Sequence, residues 1–298
     1  MSNIQWYPGH MTKSIRMMRE NLGLVDVVIE LLDARIPHSS KNPDIDELAS
    51  GKKRIAVLNK ADLADERANQ AWKAHYEKRG YQVALTDSTS GKGLQEVAKA
   101  ARELMAEKIA RQKARGRLVV PIRAMIVGIP NVGKSTMINK YAKKSVAKVE
   151  DRPGVTRGKQ WIKISADFEL LDTPGILWPK FEDPDIGRNL AAIGSINDNI
   201  LDIEGLAAQL IALVRQNNGL AARYNINFDE ADNDLSILTK IADARGFKTK
   251  DGETDIRRSA IIFLDEFRAG KLGRITLEMP GDYANAFEGR REIRANEI

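Results

Sequence analysis

Gly128-Ile129-Pro130-Asn131-Val132-Gly133-Lys134-Ser135 matches G-x4-G-K-[ST] and lies between an apolar run and a helical stretch. Average residue frequencies give such a match by chance in about one chain of this length in a hundred, so its position between strand and helix carries the assignment. The residue types suit a phosphate chain. Glycines let backbone N–H groups close around phosphate oxygens, Lys134 meets the β- and γ-phosphates, and the Ser135 hydroxyl can hold Mg²⁺. The nucleotide-contacting set expected along this loop is Asn131, Val132, Gly133, Lys134, Ser135 and Thr136.

Asn59-Lys60-Ala61-Asp62 matches N-K-x-D, which reads guanine. The Asp62 carboxylate can accept from both N1–H and the 2-amino group of guanine, whereas adenine offers neither donor and would leave a desolvated carboxylate unpaired. Away from a phosphate loop the tetrapeptide could equally be a capping turn, with Asp62 at the head of a helix. Asp172-Thr173-Pro174-Gly175 fits D-x-x-G, in which the Asp holds Mg²⁺ and the Gly amide reaches the γ-phosphate. Three other stretches fit this loose pattern, but Asp172 alone ends an apolar strand run downstream of the phosphate loop. Thr156, between the two motifs, is the candidate to close on Mg²⁺ and γ-phosphate. A guanine contact through a backbone amide is expected in Thr86–Gly93, with Ser88 the chosen residue.

These residues need a framework. Apolar, β-branched runs predict strands at 25–32, 54–58, 81–85, 122–127, 160–164 and 168–171, with helices at 64–79, from 93 to about 115, and from 134. That is a βαβ rhythm. From Asp183 onward amphipathic helices at 203–215, 235–244 and 254–269 replace strands. The expected fold is an α/β P-loop GTPase domain, residues 1–180, followed by a smaller all-α domain, residues 181–298, with Pro179 and Pro184 marking the join.

The chain has 298 residues, no cysteine and a net charge of +6. Disulfides, thiolate metal sites and thiol lipidation are excluded, and residue 2 is Ser, not the glycine of a myristoylation signal. No apolar run reaches the ~20 residues that span a bilayer, so a cytoplasmic protein without membrane contact is expected. The positive excess favours a polyanionic partner.

Ordinary GTPases place the phosphate loop first and N-K-x-D near the end; here Asn59–Asp62 precedes Gly128–Ser135, so the order is circularly permuted. Together with Trp6-Tyr7-Pro8-Gly9-His10-Met11, Asp33-Ala34-Arg35-Ile36-Pro37 and Pro153-Gly154-Val155-Thr156, these motifs make nearly the whole chain resemble the ribosome biogenesis GTPase A (YlqF) family of permuted GTPases. The resemblance implies GTP-dependent maturation of the large (50S) ribosomal subunit precursor, with contact to rRNA and not DNA, by a protein expected to be a monomer. A nucleotide-gated RNA-binding module, or a GTPase acting on another RNA such as tRNA, are the alternatives. Ile176 follows Gly175 where many GTPases carry a water-orienting Gln, so the reaction needs another source of positioning. By the resemblance, His10 could orient the water; otherwise it faces RNA or caps a helix. The catalytic set is then His10, Lys134, Thr156 and Gly175. Asn131 resembles the asparagine that holds K⁺ beside the phosphates in K⁺-dependent GTPases, or else simply forms a turn. Mg²⁺ would be bound by Ser135, Thr156 and Asp172. The clusters Lys108–Arg117, Arg257-Arg258 and Arg290-Arg291-Arg294, with Lys13, Arg16 and Arg19, are candidate RNA contacts.

Overall fold

The computed structural model describes residues 9–142, 160–181 and 183–283. In chain order the elements are α1 (His10–Asn21), β1 (Val27–Asp33), α2 (Pro43–Leu48), β2 (Lys53–Asn59), α3 (Glu66–Glu77), β3 (Gln82–Thr86), α4 (Leu94–Leu104), α5 (Ala106–Ala114), β4 (Ile122–Gly128), α6 (Lys134–Ala142), β5 (Gln160–Ser165) and β6 (Phe168–Asp172). Five helices follow: α7 (Pro184–Ala192), α8 (Ile203–Val214), α9 (Asn218–Tyr224), α10 (Asp234–Ala244) and α11 (Ile256–Arg268).

The strands form one sheet in the order β3-β2-β1-β4-β6-β5, parallel except for β5, which runs antiparallel to β6 at the edge. Every residue of β1 is buried. Alternate side chains serve opposite faces: Val27, Ile29 and Leu31 join one hydrophobic cluster, while Val28 and Leu32 join two others. A strand covered on both sides must read as a near-continuous apolar run, and β1 does. Its exception, Glu30, is balanced by Arg54 at 2.7 Å and Lys41 at 3.4 Å.

All six expected strands form, each within two residues of its expected ends. The single helix expected from 93 to about 115 is instead broken at Met105 (φ −104°, ψ 9°) into α4 and α5. No Gly or Pro marks that break. α4 buries Leu94, Val97, Ala100 and Ala101 against the sheet, whereas α5 has no fully buried residue, packs only the half-buried Ile109 on the core and forms the Lys108–Asp26 ion pair at 2.5 Å. Helices α1, α2, α7 and α9 went unread in the sequence. Pro184, taken as a boundary mark, is the first residue of α7, behind Asp183, whose carboxylate accepts from the Asp185 amide at 2.8 Å.

Helices α8, α10 and α11 pack around Leu206, Leu210, Ile241, Phe263 and Phe267. The same cluster continues through Ile186, Phe181 and Leu177 into the sheet, so architecture changes near residue 180 without a gap in apolar packing. The chain then returns. Ile275 N donates to Leu63 O (2.9 Å), Leu277 N to Arg35 O (2.8 Å), and Trp72 Nε1 to Glu278 O (2.9 Å). The Glu278 carboxylate, 1% exposed, accepts from the amides of His38 (2.8 Å) and Ser39 (3.1 Å), from the Ser39 hydroxyl, and from Asn189 Nδ2 (3.0 Å). Burial raises its pKa, and these hydrogen bonds act in the opposite direction.

Glu278→Ala leaves these donors without their acceptor. It should lower stability by about 2–4 kcal/mol, read as a lower urea midpoint, and expose residues 270–283 to limited proteolysis. An unchanged midpoint would mean that this carboxylate does not hold the returning segment.

Candidate functional site

Parallel strands deliver their following loops to one edge of the sheet, and such an edge is where open α/β sheets bind ligands. Here the loops after β1, β2, β3, β4 and β6 carry Asp33–Pro37, Asn59–Asp62, Thr86–Gly93, Gly128–Ser135 and Asp172–Gly175. Motifs scattered over about half of the chain therefore converge.

Asn59 is 1% exposed, and its side chain binds the other loops. Nδ2 donates to Val132 O (2.8 Å), while Oδ1 accepts from Thr86 Oγ1 (3.0 Å), Ser88 N (3.1 Å) and Ser88 Oγ (2.7 Å). Thus Asn59 holds the phosphate loop against the β3 loop rather than pointing at a base. The Ser88 amide, expected to meet guanine, donates here to Asn59 Oδ1, since a buried amide oxygen must find donors. Gly133, at φ +102°, passes so near that a Cβ there would stand 2.4 Å from Asn59 Nδ2. Asp62 stays exposed at the tip of its loop. Partial burial, then the charge of Asp87, raises its pKa against the nearby Arg35 and Arg274.

Lys60, with φ 58°, donates from Nζ to Asn131 O (2.9 Å) and pairs with Asp33 Oδ2 (3.0 Å). Asp33, fully buried, also receives Arg35 in a two-pronged contact, Nε to Oδ1 at 2.9 Å and Nη2 to Oδ2 at 2.8 Å. Burial alone would raise the Asp33 pKa, but the Arg35 and Lys60 charges hold it well below the usual carboxylate range. Arg35 Nη1 reaches on to Arg268 O at 3.2 Å. Neither Asp33 nor Arg35 was assigned a role from the sequence; the signal was a charge pair at the end of a buried strand.

Lys134 is 6% exposed, and Nζ donates to Gly128 O (3.0 Å) and Ile129 O (2.7 Å). Burial lowers its pKa to about 8, with Asp172 opposing. Burial raises Asp172 to about 6, with Lys134 opposing. Asp172 Oδ1 is buried without a hydrogen-bond partner, the arrangement of a carboxylate oxygen built to face a cation or its water shell. Ser135, one residue past Lys134 in α6, supplies a hydroxyl oxygen. Hard oxygen donors of this kind fit Mg²⁺. Among the described residues no group of three or more His, Cys, Asp or Glu could hold a metal, so an ion here would draw further ligands from phosphate and water.

Gly175 lies against the phosphate loop: a Cβ would meet Pro130 Cα at 2.8 Å and Lys134 Nζ at 2.9 Å. Ile176 is fully buried among Val28, Met125 and Leu171. It therefore faces the core and not the phosphates. His10 opens α1, and its neighbour Met11, fully buried, accepts from Leu177 N through Sδ at 3.4 Å. The side chain of His10 and the whole of Thr156 lie outside the described residues, as do Arg290, Arg291 and Arg294.

The helical unit also reaches the phosphate loop. Asn131 Nδ2 donates to Gly194 O (2.7 Å), and Ser195 Oγ, fully buried, donates to Pro130 O (2.7 Å). A cavity of about 770 Å³ is lined by Lys60, Asn131, Gly194, Asp198 and Arg268.

A family model described as "50S ribosome-binding GTPase" matches residues 123–243, and one described as "RsgA GTPase" matches residues 48–182. The chain is 45% identical to ribosome biogenesis GTPase A of Bacillus cereus, over 97% of this chain and 98% of that protein. It is 31% identical to the Thermotoga maritima protein of the same name, over 94% and 95%. The crystal structure of GNP-bound YlqF from T. maritima superposes with a TM-score of 0.63 at 30% identity, covering 90% of this chain and 98% of that one.

Asp33→Ala would leave Arg35 and Lys60 without their shared counter-charge in a buried setting. A loss of about 3–5 kcal/mol in urea denaturation is expected, with weaker GDP binding. A loss under about 1 kcal/mol would contradict this.

Proposed function

The chain belongs to the ribosome biogenesis GTPase A family and is a GTP hydrolase, and on that premise we propose that it drives a late step of large (50S) ribosomal subunit assembly while contacting rRNA. The observation that carries the chemistry is the convergence of phosphate-loop, guanine-reading and D-x-x-G residues on one sheet edge, with Asn59 joining the phosphate loop to the β3 loop. The ribosomal target rests on the kinship. The first unit, 1–180, performs hydrolysis, and the helical unit, 181–298, reaches RNA.

In this reading Lys134 turns its ammonium from the Gly128 and Ile129 carbonyls to the β- and γ-phosphates, exchanging neutral acceptors for charged ones. The Gly175 amide meets the γ-phosphate beside it. Ser135, Asp172 and Thr156 would hold Mg²⁺, which when bound would neutralise charge on the phosphates. Asp62 reads guanine. Because Ile176 is buried, water positioning falls to another group, and we assign it to His10, whose helix is tied to the switch segment through Met11 and Leu177. Asn131 would offer its amide oxygen to K⁺, its amide nitrogen being bonded to Gly194 O.

RNA contact is supported by charge. Between Lys108 and Arg123 there is no acidic residue. Arg111, Lys113, Arg115 and Arg117 are exposed and form no ion pair among the described residues. Arg257 and Arg258 are exposed on α11. Among the described residues no helix is long and apolar enough to cross a membrane; a cytoplasmic monomer is part of the same proposal.

GTP turnover in KCl, measured alone and with large or small ribosomal subunits, tests the target. Stimulation by the large subunit only, lost in His10→Ala while binding persists, is expected. Equal rates in NaCl and KCl would remove the K⁺ assignment, and no stimulation by either subunit would favour a nucleotide-gated RNA-binding module or a different RNA.

Base reading has its own test. Asp62→Asn should lose GTP affinity by roughly 10²-fold or more and gain xanthosine triphosphate, whose 2-carbonyl accepts from the new amide. Retained GTP preference in a competition assay would contradict the guanine site.

A further inference from the structure

The loop that carries Asp62 projects from the sheet between β2 and α3, and its carbonyls must find donors or face water. On the sheet side Ala61 N donates to Thr86 O at 3.0 Å, and within the loop Leu63 N donates to Lys60 O at 2.9 Å. The opposite side is held by residues more than two hundred positions later. Arg274 Nε donates to Ala64 O at 2.7 Å, and Arg274 Nη2 donates to Ala61 O at 3.1 Å and to Glu66 Oε2 at 2.8 Å. Ile275 N donates to Leu63 O at 2.9 Å, and Asp65 N donates to Thr276 Oγ1 at 3.0 Å. Gly270 closes the contact: a Cβ there would stand 2.6 Å from Leu63 Cδ2. The Leu63 and Ala64 carbonyls thus end on Ile275 and Arg274, and the Ala61 carbonyl accepts from both Arg274 and Asn69 Nδ2 (2.9 Å).

We propose that Arg274 is a positioning residue for guanine recognition, its guanidinium fixing the loop that aims the Asp62 carboxylate at the base. This rests on the reading of Asn59–Asp62 as the guanine site. The side chain suits the task. A planar guanidinium holds donors in fixed directions and can grip two carbonyls three residues apart while pairing with Glu66, which a lysine ammonium cannot do with the same rigidity. The Arg274 charge is also among those felt by Asp62. Arg274 does not touch the nucleotide; it acts through the loop. Because it follows α11, the helical unit supplies part of the base specificity of the GTPase unit. A partner that draws the 270–278 segment away loosens the grip on guanine, while Lys134 and the phosphate loop keep their own contacts.

The test separates base reading from general loosening. Inosine nucleotides keep N1–H but lack the 2-amino group, so the ratio of IDP to GDP dissociation constants reports how well Asp62 is aimed. It is measured on the full chain for wild type, Arg274→Ala, Arg274→Lys, Asp62→Asn, and Lys271→Ala as a neighbouring control whose ammonium pairs instead with Glu266. Arg274→Ala should narrow the ratio by roughly tenfold, the worth of one or two hydrogen bonds made in good geometry. kcat at saturating GTP should stay within about twofold, because phosphate chemistry does not pass through the loop. Arg274→Lys should narrow the ratio in the same direction, and this variant carries the test should Arg274→Ala not fold. Lys271→Ala should leave it unchanged. If Asp62→Asn alters base preference but neither Arg274 variant changes the ratio, the positioning role is overturned and the guanine reading stands. If Asp62→Asn leaves base preference unaltered, the guanine reading fails and the proposal falls with it.

Discussion

A single buried amide at the end of β2 joins loops that lie far apart in the chain. Asn59 donates to the phosphate loop at Val132 and accepts from Thr86 and Ser88 of the β3 loop, and no water can replace those partners at 1% exposure. A buried amide must satisfy both ends, so these loops have one arrangement in which all are content. The proposed phosphate and base contacts lie on different loops, and this one side chain bonds both the phosphate loop and the β3 loop. Gly133 is glycine partly because Asn59 stands where its Cβ would be.

Asp33 plays the companion role with charge. Its buried carboxylate gathers Arg35, itself buried, and the half-buried Lys60, and each partner continues elsewhere. Lys60 reaches Asn131 in the phosphate loop; Arg35 reaches the Arg268 carbonyl at the end of α11. Arg268 in turn donates to the Ala191 and Ala192 carbonyls, and Gly194 beyond them accepts from Asn131. The path closes on itself. The guanine loop, phosphate loop and helical unit are therefore fixed by one set of polar contacts.

This bears on what the permutation does. Moving the guanine motif to the front of the chain leaves strand neighbours as a parallel sheet requires, with the phosphate-loop strand β4 between β1 and β6. It also joins the switch segment directly to the helices, so Gly175 is followed by buried Ile176, Leu177 and Phe181 and then by α7. Among the described residues the helical unit meets this edge of the sheet through that covalent link, through Gly194 and Ser195 on the phosphate loop, through Arg268 at Arg35, and through the returning segment beside Asp62. Such multiple attachment suits a switch in which nucleotide state and helical-unit position constrain each other.

The sequence by itself determined the strands, the motif-bearing loops and their permuted order, because apolar periodicity and glycine-rich spacing are local and each strand must bury its own residues. Even the absence of a water-orienting Gln after Gly175 was legible, although only the structure shows Ile176 facing the core. Tertiary structure alone decided the rest: that α4 and α5 part at Met105, that the Ser88 amide serves Asn59, and that Asp33 gathers two cations. The same holds for Gly194, Ser195, Arg274 and Glu278, which complete a site formed by residues far earlier in the chain. The reason is physical. A hydrogen bond between Arg274 and Ala61 leaves no trace in the pattern around either residue, since its partner is set by where the whole chain folds back and not by any neighbour in sequence.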